Sequence, residues 1–206
     1  MSRQRLSAEA RRDQLERAAL VVVADDGYAA ANADAIARTA SASKGLVWHY
    51  YTDLTDLLVH AARRALRLLE AAVAAELDLR APLPKLLRAA IGRAARLPAT
   101  HARELRAIRQ LVDNLRDPAG HRLLRDTESE PLLARQAALL RRGQQEGHLR
   151  ADLDPQLLAV TYQGLVDTMV DHLLDHPDVD PDRYAVHVAT VLLEGIAAPD
   201  PPPHRR

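Results

Sequence analysis

The chain has 206 residues, 48% hydrophobic and 27% charged, which excludes a disordered polymer and leaves room for one large or two small domains with a real core. Its formal net charge is zero, so bulk electrostatics alone favour neither a nucleic acid nor a membrane as partner. The absence of cysteine excludes disulfides and thiolate metal sites and suits a reducing compartment.

Residues 1–6 form a polar arm in which Arg3 and Arg5 either follow a nucleic-acid backbone or minor groove or belong to a solvated tail. Ser7 is placed to cap a first helix whose Leu15, Ala18, Ala19, Val22 and Val23 recur at i, i+3, i+4, i+7 and i+8, the spacing of one buried helical face. The apolar run 18–24 is too short for a membrane span or a signal-peptide core, so the expectation is a cytoplasmic protein with no membrane partner. Gly27 suits the left-handed cap that ends this helix.

Residues 32–51 read as two short helices joined by a tight turn. Asn32 caps the first, Asp34 complements its N-terminus, and Ile36, Ala37 and Ala40 give it a narrow apolar face. Ser43 caps the second, which runs over residues 44–50. Helical spacing turns Val47, Tyr50 and Tyr51 inward and leaves Lys44, Gly45, Trp48 and His49 outside. A short helix, a three-residue turn and a second helix with a polar and aromatic outer face form the pattern of a helix-turn-helix, whose second helix enters the DNA major groove. Arg3, Arg5, Arg11 and Arg12 cluster before and at the start of the first helix, where they support phosphate binding in an otherwise neutral chain.

On Gly27, Tyr28, Ile36, Ala37, Ala40, Ser43, Gly45, His49, Tyr50, Leu57 and Leu58, with no gap between them, the segment resembles the N-terminal domain of the TetR family of transcriptional regulators. The resemblance implies that Asn32, Ser43, Lys44, Gly45, Leu46, Trp48 and His49 form the DNA-contacting set. Lys44 and His49 then reach bases or phosphates, Gly45 permits close approach, and Ser43 and Trp48 grip the backbone. Four positions depart from the family pattern. Asn32 replaces a Thr or Ser cap, and Trp48 replaces a tyrosine while keeping an N–H donor. Leu54 stands where a lysine commonly meets the backbone, which removes one phosphate contact. Ser41 replaces a turn glycine, at a cost of about 1 kcal/mol if that residue is left-handed.

A long helix is expected from residue 53 to about 79, carrying Leu57, Leu58, Ala61, Ala62, Ala65, Leu68, Leu69, Ala72 and Val73 and bridging two domains. Pro84 restarts a helix that ends at Pro98. Another helix holds Leu105, Ile108, Leu111, Val112 and Leu115, and an arginine-rich stretch follows, with Pro131 inside it and Gly147 closing it. Residues 146–155 resemble a linker seen before the penultimate helix of the same family. The last two helices, residues 155–174 and 182–196, carry apolar stripes with Leu158, Met169 and Leu173 on one and Val188, Val191 and Leu192 on the other. These fit either a four-helix homodimer bundle or the core of one subunit. The tail from residue 198 is proline-rich and reads as disordered.

The sequence therefore points to an all-α protein, with a three-helix DNA-binding domain at 1–52, a helical ligand-binding and dimerisation domain at 53–197 and a tail at 198–206. A small-molecule pocket among the C-terminal helices is implied by the resemblance. Gln110, Asn114, Thr161, Tyr162 and Thr168 are its polar candidates, each of which also fits an ordinary polar helix position. The lack of phenylalanine favours an aliphatic or mixed ligand over a flat aromatic one. His172 and His176 have the i, i+4 spacing of a metal pair but no third ligand, so no metal or other cofactor is expected. No nucleophile elbow, phosphate loop or catalytic triad spacing occurs, which argues against an enzyme. The expected function is a homodimeric regulator, most simply a repressor, released from a palindromic operator by a small molecule. The alternative is a helical binding or interaction module whose DNA affinity is weak or lost.

Overall fold

The computed structural model describes residues 6–75, 77–117 and 119–197, and of residues 125–129 only the backbone. Arg3, Arg5 and the tail from residue 198 lie outside the described residues. Within them the fold is all helical: α1 (Ala8–Asp26), a 3-10 turn (Tyr28–Ala30), α2 (Ala33–Thr39), α3 (Lys44–Tyr50), α4 (Leu54–Ala74), α5 (Leu83–Thr100), α6 (Ala102–Asn114), α7 (Leu123–Gln145), α8 (Pro155–Asp175) and α9 (Pro181–Ile196). Two isolated β-bridges, Arg116 with Arg122 and Leu149 with Ala197, are the sole extended pairings among those residues. No described helix is long and apolar enough to cross a membrane.

The chain forms two compact units, one of residues up to Glu70 together with His101–Glu128, the other of Ala71–Thr100 together with the residues from Ser129 onward. In the first unit α1 packs against α2, the 3-10 turn and α6. Leu15, Ala19, Val22 and Val23 of α1, Ile36 of α2, Val47 of α3, Leu57 and Leu58 of α4 and Leu111 of α6 are all buried in one core. Each entry into the helix-turn-helix is capped as the sequence indicates. Ser7 accepts from Ala10 N, Asn32 from Ala35 N and Ser43 from Leu46 N.

The turn between α2 and α3 closes as a six-residue cap: Ala42 N donates to Ala37 O at 2.9 Å and Ser41 N to Arg38 O at 3.0 Å. This pattern demands a left-handed residue at its fifth position, and Ser41 supplies it with φ of 49°, the only non-glycine with positive φ among the described residues. A side chain there meets the following carbonyl, a cost of roughly 1–2 kcal/mol for an L-residue. Ser41→Gly is therefore expected to raise the unfolding free energy by about 1 kcal/mol, read as a shifted urea midpoint at unchanged slope.

In the second unit α5 packs against both α8 and α9, which also pack on each other. Arg96 of α5 meets Asp182 at the start of α9 at 2.9 Å, and α7 lies so close to α5 that any Cβ at Gly143 would strike Leu83. Two helix ends differ from the periodicity reading. α5 continues through Pro98 to Thr100: the proline forfeits the one bond its N–H would make to the carbonyl four residues earlier, while the Thr100 hydroxyl donates to Arg96 O at 3.3 Å in the same turn. α4 stops at Ala74 rather than near 79. Beyond Leu69 its stripe is no longer buried, and Asp78 Oδ1 accepts from Arg80 N at 3.0 Å to form a local turn that competes with the helix. The stripes on α8 and α9 prove to be largely core of the single chain. Leu158, Met169, Leu173, Val188 and Leu192 are buried within it, whereas Thr161, Thr168, His172, Val191 and Gly195 face outward.

Candidate nucleic-acid interface and helical cavity

The second helix of the helix-turn-helix, α3, is held from behind. Val47 is fully buried and Tyr51, its C-terminal cap, is buried as well. The Tyr51 hydroxyl donates to Glu16 Oε1 of α1 at 3.0 Å. Burial first, then the Glu16 charge and hydrogen bond, push the phenol well above its ordinary pKa. Arg12 of α1 lies over the Tyr50 ring, 5.5 Å from its centroid.

The opposite face of α3 is open to solvent. Ser43, Lys44, Gly45, Trp48 and His49 are exposed there, with Trp48 at 42% and Leu46 half-buried at the edge. His49 sits edge-on to Tyr50 with centroids 4.9 Å apart. A Cβ at Gly45 would meet nothing within 4 Å of the chain, so the glycine is not required by internal packing and leaves room for approach from outside. Lys44 Nζ pairs with Asp34 Oδ2 of α2 at 2.7 Å, both groups solvent-exposed. Asn32 is exposed and spends both side-chain ends on the backbone: Oδ1 accepts from Ala35 N at 2.9 Å and Nδ2 donates to Ala30 O at 3.1 Å. Leu54 packs partly against the core, which accounts for an apolar residue there.

The five polar candidates for a ligand site separate. Gln110 belongs to the first unit, where Oε1 accepts from Tyr28 N at 2.7 Å. Asn114 is exposed in that unit and donates to Gln110 O at 2.8 Å. In the second unit Thr161 is exposed and donates to Leu157 O at 2.9 Å, and Thr168 is also exposed. Tyr162 alone lines a cavity.

That cavity, of about 80 Å³, lies between the loop after α4 and helices α5, α7 and α8, and is lined by six leucines, Ala90, Tyr162 and Gln136. Burial pushes the Tyr162 phenol up to about 12. Arg142 of α7 fixes the loop by donating to Leu79 O at 2.5 Å and Ala81 O at 3.2 Å. Gln136 was not among the sequence candidates, although it sits three and four residues before Leu139 and Leu140, a polar residue on an apolar face. His172 and His176 stack with centroids 4.2 Å apart, and among the described residues no three His, Cys, Asp or Glu side chains are grouped to hold a metal.

No protein-family model and no curated protein matches the chain. Solved structures do. A TetR-like transcriptional regulator from Rhodococcus sp. RHA1 is 20% identical with a TM-score of 0.71, covering 93% of this chain and 98% of that one. The fatty acid degradation regulator FadR from Bacillus halodurans is 19% identical with a TM-score of 0.75, covering 92% and 97%. TylP, a TetR regulator from Streptomyces fradiae, is 20% identical with a TM-score of 0.70, covering 94% and 90%. From the capped helix-turn-helix to the closing pair α8 and α9, this chain has the fold of the TetR-family transcriptional regulators.

Proposed function

We propose that the protein is a homodimeric, ligand-responsive transcriptional regulator, most simply a repressor, that binds a palindromic DNA operator through residues 1–52 and an effector through residues 53–197. The observation that carries this reading is the outer face of α3, where Ser43, Lys44, Gly45, Trp48 and His49 stand exposed on a helix whose other side is locked into a core. Lys44 and His49 reach bases or phosphates, while Trp48 and Ser43 hold the backbone. Two copies of α3 require half-sites about one helical turn apart, ~34 Å, or a multiple of it.

Dimerisation through α8 and α9 is supported by apolar side chains that the single chain leaves uncovered: Leu157 is 69% exposed, Val160 54%, Val186 63% and Val191 55%. Such a set on two adjacent helices suits a self-complementary two-fold contact. The effector acts by a coupling free energy between cavity and operator, shifting the distance between the two reading heads. The FadR neighbour is named for fatty acid degradation, which is compatible with an aliphatic effector here. The chain performs no catalysis in this reading.

The test is fluorescence anisotropy of the full chain with labelled DNA from beside its own gene, titrated with salt and random competitor. Sequence-selective binding that weakens steeply with salt is expected. Binding no better than random DNA across the flanking fragments overturns the regulator reading in favour of a binding module that has lost its DNA affinity.

A further inference from the structure

The cavity carries information about what it accepts. Gln136 Nε2 donates to Gln163 Oε1 at 2.6 Å, and Gln163 Nε2 donates to Asp167 Oδ1 at 2.7 Å. An ionised carboxylate can only accept, so Asp167 fixes the orientation of Gln163, and Gln163 in turn fixes that of Gln136. Both amides are thereby set with nitrogen toward Asp167, and Gln136 Oε1 is left buried with no hydrogen-bond partner. A buried acceptor without a donor costs free energy that a ligand donor recovers. Tyr162 lines the same cavity.

The remaining walls select against charge and against rings. Among the described residues no Lys, Arg, His, Asp or Glu lines the cavity, so an ionic group carried into it would be buried without a counter-ion from them. An apolar cavity of roughly 150 Å³ accepts benzene, and this one has about half that volume. The space suits a short unbranched alkyl chain, smaller than benzene, of about three carbons.

We propose, resting on the effector reading of the second unit, that this cavity takes a neutral aliphatic ligand that presents one hydrogen-bond donor to Gln136 Oε1, a primary alcohol being its simplest form. The ligand hydroxyl donates to Gln136 and accepts from Tyr162, while its chain lies among the leucines. Carboxylates and amines of the same length are poor ligands, the first because its oxygens face an acceptor, the second because its ammonium is buried without a counter-ion.

The experiment uses the full chain and four probes of matched length: 1-propanol, propanoate, propylammonium and ethyl methyl ether. Binding is measured by ligand-observed NMR, and DNA release in parallel by anisotropy. 1-Propanol is expected to bind at least tenfold more tightly than each of the other three. Gln136→Leu is expected to abolish the preference for alcohol over ether while the chain keeps its circular dichroism, with Gln136→Met as a second variant that lacks the acceptor. Propanoate binding as tightly as propanol, an unchanged alcohol-to-ether ratio in both variants, or no binding by any probe overturns the proposal. Selective propanol binding that leaves DNA affinity unaltered upholds the ligand class and counts against the effector reading. Release of DNA by propanoate instead upholds the effector reading and rejects the class.

Discussion

Lys44→Ala and Trp48→Ala are each expected to weaken operator binding by about tenfold, and the double variant by about a hundredfold, with fold and dimer intact. Tenfold corresponds to about 1.4 kcal/mol, a modest demand on a contact that the proposed two-fold dimer makes twice. The two variants should separate in salt. Each neutralised phosphate contributes about 0.9 to the slope of log affinity against log salt, so losing both copies of Lys44 should flatten the slope by about 1.8, whereas losing an uncharged indole should leave it nearly unchanged. Neither side chain is part of the core: Trp48 is 42% exposed and Lys44 is paired with exposed Asp34. Their removal should change stability by no more than about 0.5 kcal/mol. Asp34→Asn supplies the opposite sign. It frees Lys44 from an exposed ion pair worth about 0–1 kcal/mol and should raise DNA affinity a few-fold. Parental affinity and salt slope in both alanine variants would mean that this face of α3 does not enter the groove.

What the sequence makes legible is local. Ser7, Asn32 and Ser43 announce their helices because a cap is a contact between residues three apart, and the inner and outer faces of α3 follow from helical spacing alone. The same locality explains what is hidden. Gln110 looks like a polar residue facing a pocket, yet its partner is the backbone N–H of Tyr28, 82 residues earlier, and nothing in the order of residues signals that pairing. The stripes on α8 and α9 are equally plain in sequence, but periodicity states that a face is covered and not by what. Leu158 and Met169 turn inward against the same chain, while Leu157 and Val160 on the next faces of the helix stay open. Gln136 had a readable signal, a polar side chain in line with Leu139 and Leu140, lost amid the arginines around it. That its Oε1 is orphaned depends on Gln163 and Asp167 from another helix, information that only the fold supplies.

Tyr51→Phe is expected to lower the unfolding free energy by about 1–3 kcal/mol, because it takes the hydroxyl donor from Glu16, the one buried charged side chain among the described residues, and leaves the carboxylate oxygen unsatisfied. The loss should show in the part of the chain proposed to read DNA. Tyr51 N donates to Val47 O, so the same residue ends α3 and, through its hydroxyl, ties that end to α1. Trp48 is the only tryptophan, so its fluorescence during urea unfolding reports on this unit directly. The pH dependence gives an independent reading. The phenol pKa is raised in the folded chain, by burial first and by Glu16 second, so the native state keeps a proton that the unfolded state releases from about pH 10 upward. The stabilisation is fully present below that pH and declines above it, by at most about 1.4 kcal/mol per pH unit for one proton. Tyr51→Phe should start from a lower stability and lack this share of the alkaline decline, so the two unfolding curves converge as pH rises. Glu16→Gln, which keeps a hydrogen-bond acceptor and removes the charge, should soften the decline without the full loss at neutral pH. A Tyr51→Phe chain as stable as the parent at pH 7, with the same alkaline slope, would mean that the hydroxyl does not anchor α3 to α1.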